Sequence, residues 1–261
     1  MLNIDLSGRR ALVTGGNSGI GAAIVTSLAA AGADVAINYL THPEIAETGA
    51  AAVRTAGTRS LTLQADVSDP AAVAAMFAQI DTAWGGLDIL VNNAGIDGAA
   101  ATGAEADLEA WRRVIEINLF GAFYCAREAL RRMLPQRRGV ILNMSSVHEV
   151  IPWSTHSSYA ASKSGLSMLT RTLAQEAAPA GVRVLALGPG AIKTPINQNV
   201  WSDPAGLRDL ASKIPLGRMG ETSEIARMAT VLVSDLASYV TGTTVFVDGG
   251  MSDYADFSHG G

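Results

Sequence analysis

The chain has 261 residues, of which 48% are hydrophobic and 16% charged, with a formal net charge of −5 and an isoelectric point near 5.4. That composition provides for a sizeable buried core and excludes a disordered chain, and its acidic balance excludes the basic footprint of a nucleic-acid or anionic-membrane binder. Cys125 is the single cysteine, so no internal disulfide can form, and with no apolar run of the roughly 18 residues a bilayer span needs, a cytoplasmic setting is expected.

Arg10-Ala-Leu-Val-Thr14 is a short apolar run with a β-branched centre and predicts a buried strand. Gly15-Gly-Asn17-Ser18-Gly19-Ile20-Gly21 follows at once, and Ala22 to Ala31 reads as a helix ended by Gly32. Strand, glycine turn and helix make the opening of a dinucleotide-binding unit. Its glycines let the backbone approach a pyrophosphate, and the helix start offers N–H groups and a positive dipole end. The spacing is G-x-x-x-G-x-G rather than G-x-G-x-x-G, and a tight turn without a ligand is the alternative.

Asp34 to Tyr39 predicts a second strand, and a helix runs from Pro43 to about Gly57. Leu61 to Ala65 is a third strand, closed by Asp66 and Val67. Ser68 or Asp69 caps a helix with Pro70 near its start and Gly85-Gly86 at its end. Leu87 to Val91 is a fourth strand, running into Asn92-Asn93-Ala94-Gly95. Two helices are expected at about Ala106–Asn118 and Leu119–Leu134, with Cys125 as a small buried hydrophobe.

Gly139 to Met144 is the fifth strand and delivers Ser145-Ser146 at its carboxyl end. Tyr159 and Lys163 stand four apart, on one face of a helix expected from Tyr159 to about Gln175. A phenol is a poor base at neutral pH, with a pKa of about 10, and a nearby ammonium favours the phenolate. Taken alone, the pair also fits an inert surface contact. Val182 to Leu187 is the sixth strand, ending in Gly188-Pro189-Gly190. Residues 191–221, rich in Pro, Asn and Gly, form the least regular part and suit a substrate-covering loop. A helix from about Ser223 to Ser234 and a strand at Thr243–Val247 close the sheet. The expected fold is α/β: one Rossmann-type, doubly wound parallel sheet of about seven strands with helices on both faces, residues 1–261 forming a single domain.

Ligands of such sheets bind at the carboxyl ends of the strands. Gly15–Gly21, Asn92–Gly95, Ser145–Ser146 and Gly188–Gly190 all fall at such ends, which a chance surface pair does not explain. The chain resembles the short-chain dehydrogenase/reductase family over nearly its whole length. The motifs are Thr14-Gly15-x-x-x-Gly19-Ile20-Gly21, Asp66, Asn92-Asn93-Ala94-Gly95, Asn118, Ser146, Tyr159-x-x-x-Lys163, Pro189-Gly190 and Thr194.

That resemblance implies roles. Tyr159 is the acid/base; Lys163 lowers its pKa and holds the nicotinamide ribose; Ser146 bonds the reacting oxygen; Asn118 supports a water-linked proton relay. Asp66 and Val67 contact the adenine, Asn93, Ala94 and Gly95 line the cofactor cleft, and Ile192 and Thr194 hold the carboxamide and phosphate side. A homotetramer is implied as well, with the short tail Tyr254–Gly261 packing near a neighbour's active site.

Ser145-Ser-Val-His-Glu-Val-Ile-Pro-Trp153, Gly188-Pro-Gly-Ala-Ile-Lys-Thr-Pro-Ile-Asn197 and Asp248-Gly-Gly-Met251 look like segments of the family's bacterial glucose 1-dehydrogenases. This implies sugar contacts at Asp97, His148 and Asn197, and places Arg218 at the substrate side. Asp97 stands where that group has a glutamate, and Arg218 where an aromatic residue is usual, so another aldose or a polyol is open. The implied reaction passes hydride from C1 of an aldose to a nicotinamide, giving the lactone. Reduction of a 3-oxoacyl thioester or small ketone stays open, as does a non-catalytic dinucleotide-binding protein. Trp153 is expected to pack a loop, and no metal is expected from the spacing of His42, His148, His156 and His259.

Cofactor choice turns on Asn38, Tyr39 and Leu40 at the end of the second strand. A carboxylate there bonds the ribose 2′-hydroxyl and an arginine pairs with a 2′-phosphate. Neither is present, so NAD is expected to be preferred and NADP accepted.

Overall fold

A computed structural model describes residues 4–253. Seven strands form one parallel sheet in the order β3-β2-β1-β4-β5-β6-β7: β1 (Arg10–Val13), β2 (Asp34–Tyr39), β3 (Ser60–Gln64), β4 (Ile89–Asn92), β5 (Gly139–Met144), β6 (Val182–Pro189) and β7 (Thr244–Val247). The central strands are continuous apolar runs because helices cover both of their faces. Leu12, Leu90 and Leu185 are fully buried. Truncating Leu12 to alanine would cost about 2–5 kcal/mol of stability.

One layer comprises α1 (Gly19–Ala30), α2 (Pro43–Thr55) and α9 (Thr222–Val233). It packs Ile24, Leu28, Val53 and Ile225 against Val13, Ile37 and Leu142. The other layer comprises α3 (Pro70–Trp84), α5 (Ala122–Gln136) and α6 (Ser157–Ala177), and it buries Phe77, Met133 and Leu173 against Leu12, Leu90 and Ile141. Asp69 caps α3 through the Ala71 N–H, and Gly85, at φ 74°, ends it in the left-handed region where glycine carries no Cβ penalty. Cys125 is buried in this second layer, and burial pushes its thiol up to about 12.

The chain crosses from β3 at one edge back to β4 beside β1, so consecutive connections leave the sheet in opposite directions there. The crevice at that switch point is where such sheets take ligands.

Two expectations need correcting. The helices placed at 106–118 and 119–134 are one rod: α4 (Leu108–Ile115), a π-helical stretch (Glu116–Gly121) and α5 run on without a break. No glycine cap or proline separates them, and the wider π turn absorbs the irregularity at Asn118. Residues 191–221 are more helical than their composition suggests. They hold a 3₁₀ turn (Pro195–Asn197), α7 (Gln198–Trp201) and α8 (Pro204–Ala211), which starts on an Asp203 cap. Among the described residues, no helix is long and apolar enough to cross a membrane, and no group of three or more His, Cys, Asp or Glu could hold a metal ion.

Candidate active site

The end of β5 gives three consecutive residues three separate tasks. Met144 turns its carbonyl to Lys163, which donates from Nζ at 2.8 Å. Ser145 donates from its hydroxyl to Glu149. Ser146 accepts the His148 N–H at 3.2 Å and so caps a 3₁₀ turn over Val147–Glu149. That bond occupies one lone pair of Ser146 Oγ and leaves its proton free for the cleft.

Tyr159 and Lys163 lie in the first turns of α6, on the face turned to the cleft. Lys163 is buried, and burial pulls its ammonium down to about 8 against the charges of Asp97 and Glu149. Burial pushes the Tyr159 phenol up to about 12; the Ser146 hydroxyl draws it back and Asp97 adds to the rise. The Lys163 ammonium stands near enough to favour the phenolate, yet the net shift is upward. The ammonium sits 5.5 Å from the ring centre with its proton directed to Met144, and desolvation of the phenol outweighs it.

Asn118 is buried in the π-helical stretch. Its amide donates to the Ile96 carbonyl at 2.9 Å and to Ser162 Oγ at 3.1 Å, and its Oδ1 accepts the Ile96 N–H at 2.9 Å. The side chain is thus fully engaged in holding the strand-end loop after β4 against α6.

On the dinucleotide side, Gly15, Ser18, Gly19, Ile20, Asn93, Ala94, Gly95, Pro189, Gly190, Ile192 and Thr194 line one cleft of about 1050 Å³ together with Ser146, Tyr159 and Lys163. A Cβ on Gly21 would lie 2.3 Å from the Gly15 carbonyl oxygen, so only glycine permits the turn to fold this tightly. Ser18, at the N-cap of α1, makes no side-chain cap bond, which leaves the first N–H groups facing the cleft for an anion. An uncapped helix start beside a glycine cradle fits a dinucleotide pyrophosphate.

The other expected cofactor residues sit outside this lining. Asn17 donates to the Thr41 carbonyl at 2.9 Å, Tyr39 packs on the core, and Leu40 is half exposed at the end of β2. Val67 is buried against Gly121. Asp66 pairs with Arg113 at 2.7 Å; burial works against its charge, but Ser68 and Arg113 outweigh that and hold the carboxyl below its usual range.

The substrate side divides. Asp97 lines the cleft, and among the described residues its carboxylate has no hydrogen-bond partner. His148 also lines it, with Nδ1 3.1 Å from the Ile151 carbonyl, so that nitrogen carries the proton and Nε2 is left as an acceptor. Burial lowers the His148 pKa, which favours the neutral ring. Trp153 is stacked between His148 (centroids 4.5 Å apart) and His156 (3.8 Å), and it meets Tyr159 edge-on at 5.6 Å. Both indole faces are covered, so the cleft sees a rigid edge.

Asn197 lies at the cleft, but its amide serves the loop: it donates to the Ile192 carbonyl at 2.9 Å and accepts from the Thr194 N–H at 3.0 Å. Arg218 stands off the lining, in a two-pronged ion pair with Glu224 at 2.8 Å. These two side chains are consumed by local partners because a cap and a carboxylate lie within a few residues of each. Sequence reasoning missed Asp209 and Lys213, which bring an ion pair at 2.7 Å to the cleft mouth. The helical spacing of that pair was the available signal.

The family model described as "Enoyl-(Acyl carrier protein) reductase" matches residues 15–252. The 3β-hydroxysteroid dehydrogenase 1 of Eggerthella lenta is 45% identical over 257 residues, covering 98% of each chain. The glucose 1-dehydrogenase 2 of Bacillus subtilis is 40% identical, covering 96% of this chain and 97% of its own. Among solved structures, levodione reductase superposes with a TM-score of 0.91 at 36% identity, over 95% of this chain and 99% of its own.

Proposed function

Because the chain belongs to the short-chain dehydrogenase/reductase family, we propose that it is an NAD(P)-dependent dehydrogenase acting on a hydroxyl borne by a saturated ring, with an aldose such as glucose oxidised at C1 to the lactone as its first candidate. The observation that carries this reading is the convergence of the Ser146 hydroxyl, the Tyr159 phenol and the Lys163 ammonium at one end of a cleft whose other end is a glycine-lined helix start. The unpartnered Asp97 carboxylate and the free Nε2 of His148 support the aldose, since both accept hydrogen bonds from hydroxyls.

In this reading a bound nicotinamide supplies the two-electron acceptor. Gly15, Ser18, Gly19 and Ile20 hold its pyrophosphate side, with Asn93, Ala94, Gly95, Pro189, Gly190, Ile192 and Thr194 flanking it. Ser146 donates to the reacting oxygen and holds it against Tyr159. Tyr159 takes the hydroxyl proton in oxidation and returns one in reduction. Lys163 keeps a positive charge beside the phenol as its proton leaves. Residues 191–221 act as the substrate cover, with Leu210 and Ile196 reaching the cleft.

A second reading, a ring alcohol with an apolar body, is favoured by Ile151, Pro152, Trp153, Ile196, Leu210 and Met251 along the same wall. The discriminating experiment measures cofactor reduction with aldoses, polyols, hydroxycyclohexanes and 3β-hydroxysteroids, each with NAD and NADP. Aldoses leading the panel support the first reading and alicyclic or steroid alcohols the second. No turnover with any of them defeats both.

We further propose a homotetramer. Support comes from Trp111, Phe120 and Phe123, large apolar side chains left exposed on the α4–α5 rod. The tail Tyr254–Gly261 lies outside the described residues. Light scattering that reports a monomer at micromolar concentration would refute the assembly.

A further inference from the structure

Glu149 closes the 3₁₀ turn that carries Ser146, yet no cation lies within ion-pair distance of it among the described residues. Its carboxylate is instead ringed by hydroxyls. Ser145 donates to Oε2 from the end of β5, Thr244 donates to Oε2 at 3.1 Å from β7, and Ser167 donates to Oε1 at 3.0 Å from α6. Its own carbonyl accepts from Ser164 at 2.9 Å. Four bonds therefore converge on one residue from three separate elements.

A surface glutamate does not collect three hydroxyl donors by accident, because each ordered side chain loses rotamer entropy. Charge-assisted bonds are about twice as strong as neutral ones and can hold such a geometry. The bonded partners flank the chemistry: Ser145 immediately precedes Ser146, and Ser164 immediately follows Lys163. The His148 N–H that orients Ser146 belongs to the same turn.

We propose that Glu149 is a positioning residue, clamping β5, α6 and β7 together so that the Ser146 hydroxyl and the Lys163 ammonium keep a fixed relation to the Tyr159 phenol. The inference rests on the reading above that these three residues perform the chemistry. A second effect travels with it: the Glu149 charge, with that of Asp97, resists the loss of the Lys163 proton. Among the groups acting on Lys163, Asp97 approaches from the loop after β4, Glu149 from the 3₁₀ turn, and Tyr159 from α6 itself.

The experiment compares wild type with Glu149→Gln, Glu149→Asp and Glu149→Ala. It reads kcat, substrate and cofactor KM, melting temperature, and the pH profile of kcat, using the best alcohol of the panel. Glu149→Ala should lower kcat by about 10- to 100-fold, the range for misplaced reacting groups, with cofactor KM within about twofold of wild type. Glu149→Gln keeps the shape and loses the charge, so Lys163 should deprotonate at lower pH and the alkaline limb should move to lower pH. Glu149→Asp should recover the position of that limb and part of kcat.

Variants with wild-type kcat and an unmoved limb would overturn the clamp while leaving the reaction assignment standing. A lower melting temperature with kcat unchanged below it would also overturn the clamp, because a merely structural role gives that result. If Tyr159→Phe retained wild-type turnover, the reaction assignment would fail, and the clamp with it.

Discussion

Lys163 donates a hydrogen bond from Nζ to the carbonyl of Met144 at 2.8 Å and stands 5.5 Å from the centre of the Tyr159 ring. The lysine therefore acts on the tyrosine through space, as a charge anchored to the end of β5, and the phenol is pushed up to about 12 by burial. Below that pKa the phenolate fraction rises tenfold per pH unit. Oxidation of the alcohol should accordingly speed up with rising pH and reduction of the carbonyl should slow, until Lys163 loses its proton near 8. Initial rates in both directions between pH 6 and about 10 check this, and parallel profiles would contradict it.

Tyr159→Phe removes the phenolic proton carrier and leaves the ring that packs edge-on against Trp153 and His148. Turnover should fall by about 10²–10⁴-fold, the range for a lost acid/base, while NAD still binds with a comparable Kd. Fluorescence titration and steady-state rates measure the two separately. A variant with most of its kcat would remove Tyr159 from the proposed role.

Burial of Lys163 has a thermodynamic sign of its own. Its folded pKa of about 8 lies below the 10.5 of a free lysine, so between those values the unfolded chain binds more protons than the folded one. The Lys163 contribution to stability thus rises as pH climbs from about 8 to 10.5, and below 8 the buried charge costs roughly 3 kcal/mol, taking 1.36 kcal/mol per pKa unit. Lys163→Met, with no charge to bury, should melt above wild type at pH 7 and lose that advantage towards pH 10. A difference in melting temperature that is constant with pH would refute the burial argument.

The elements were legible because burial and chain reversals leave marks in sequence. Asp34–Tyr39 and Gly139–Met144 appear as strands with the bounds their apolar runs suggest. The motif residues converge because Gly15–Gly21, Asn92–Gly95, Ser145–Ser146 and Gly188–Gly190 follow strand ends, and α6 and the π-helical stretch bring Tyr159, Lys163 and Asn118 to the same side. What could not be read is how a polar side chain spends its bonds. Asn197 looks like a sugar contact until its amide is found closing a turn over Ile192 and Thr194. Arg218 looks available until Glu224, six residues on, takes both of its prongs. Glu149 gave no signal, since its partners Ser145, Ser167 and Thr244 become neighbours only once the sheet has closed. The π-helical turn at Asn118 was equally hidden, because no residue type marks it.

That division predicts two mutants. Asn197→Ala removes the side chain that closes the turn over Ile192 and Thr194 and should cost about 1 kcal/mol of stability, raising substrate KM through loosening of the proposed cover. Arg218→Ala breaks an ion pair between exposed side chains and should leave KM within about twofold. Thermal melts and saturation kinetics on both variants check this. A large KM rise in Arg218→Ala alone would place its guanidinium at the substrate.

Cofactor choice follows from what surrounds Leu40. Its side chain is half exposed at the carboxyl end of β2, and its carbonyl accepts from Gln64 Nε2 at 3.0 Å. Asn17 is tied to the Thr41 carbonyl, and His42 faces Glu44 at 3.1 Å. Neither is a free cation for a 2′-phosphate. The carboxylate of Glu44 is paired to His42 and is drawn below its usual range chiefly by its own backbone N–H, so it stays anionic. A phosphate brought here would shed water against neutral donors, with that charge nearby. A ribose 2′-hydroxyl needs only a carbonyl or amide partner, and such groups are present. The expected outcome is a preference for NAD of about tenfold in kcat/KM, or roughly 1.4 kcal/mol, with NADP still used. Leu40→Arg places a guanidinium where the phosphate would lie and should move the ratio towards NADP through a charge-assisted pair. Its effect should shrink with added salt, as for any exposed ion pair. The measurement is kcat/KM for both cofactors, in wild type and Leu40→Arg, at two salt concentrations. A wild type that strongly prefers NADP would mean that the phosphate finds a cation away from the end of β2, and the argument from Leu40 would fail.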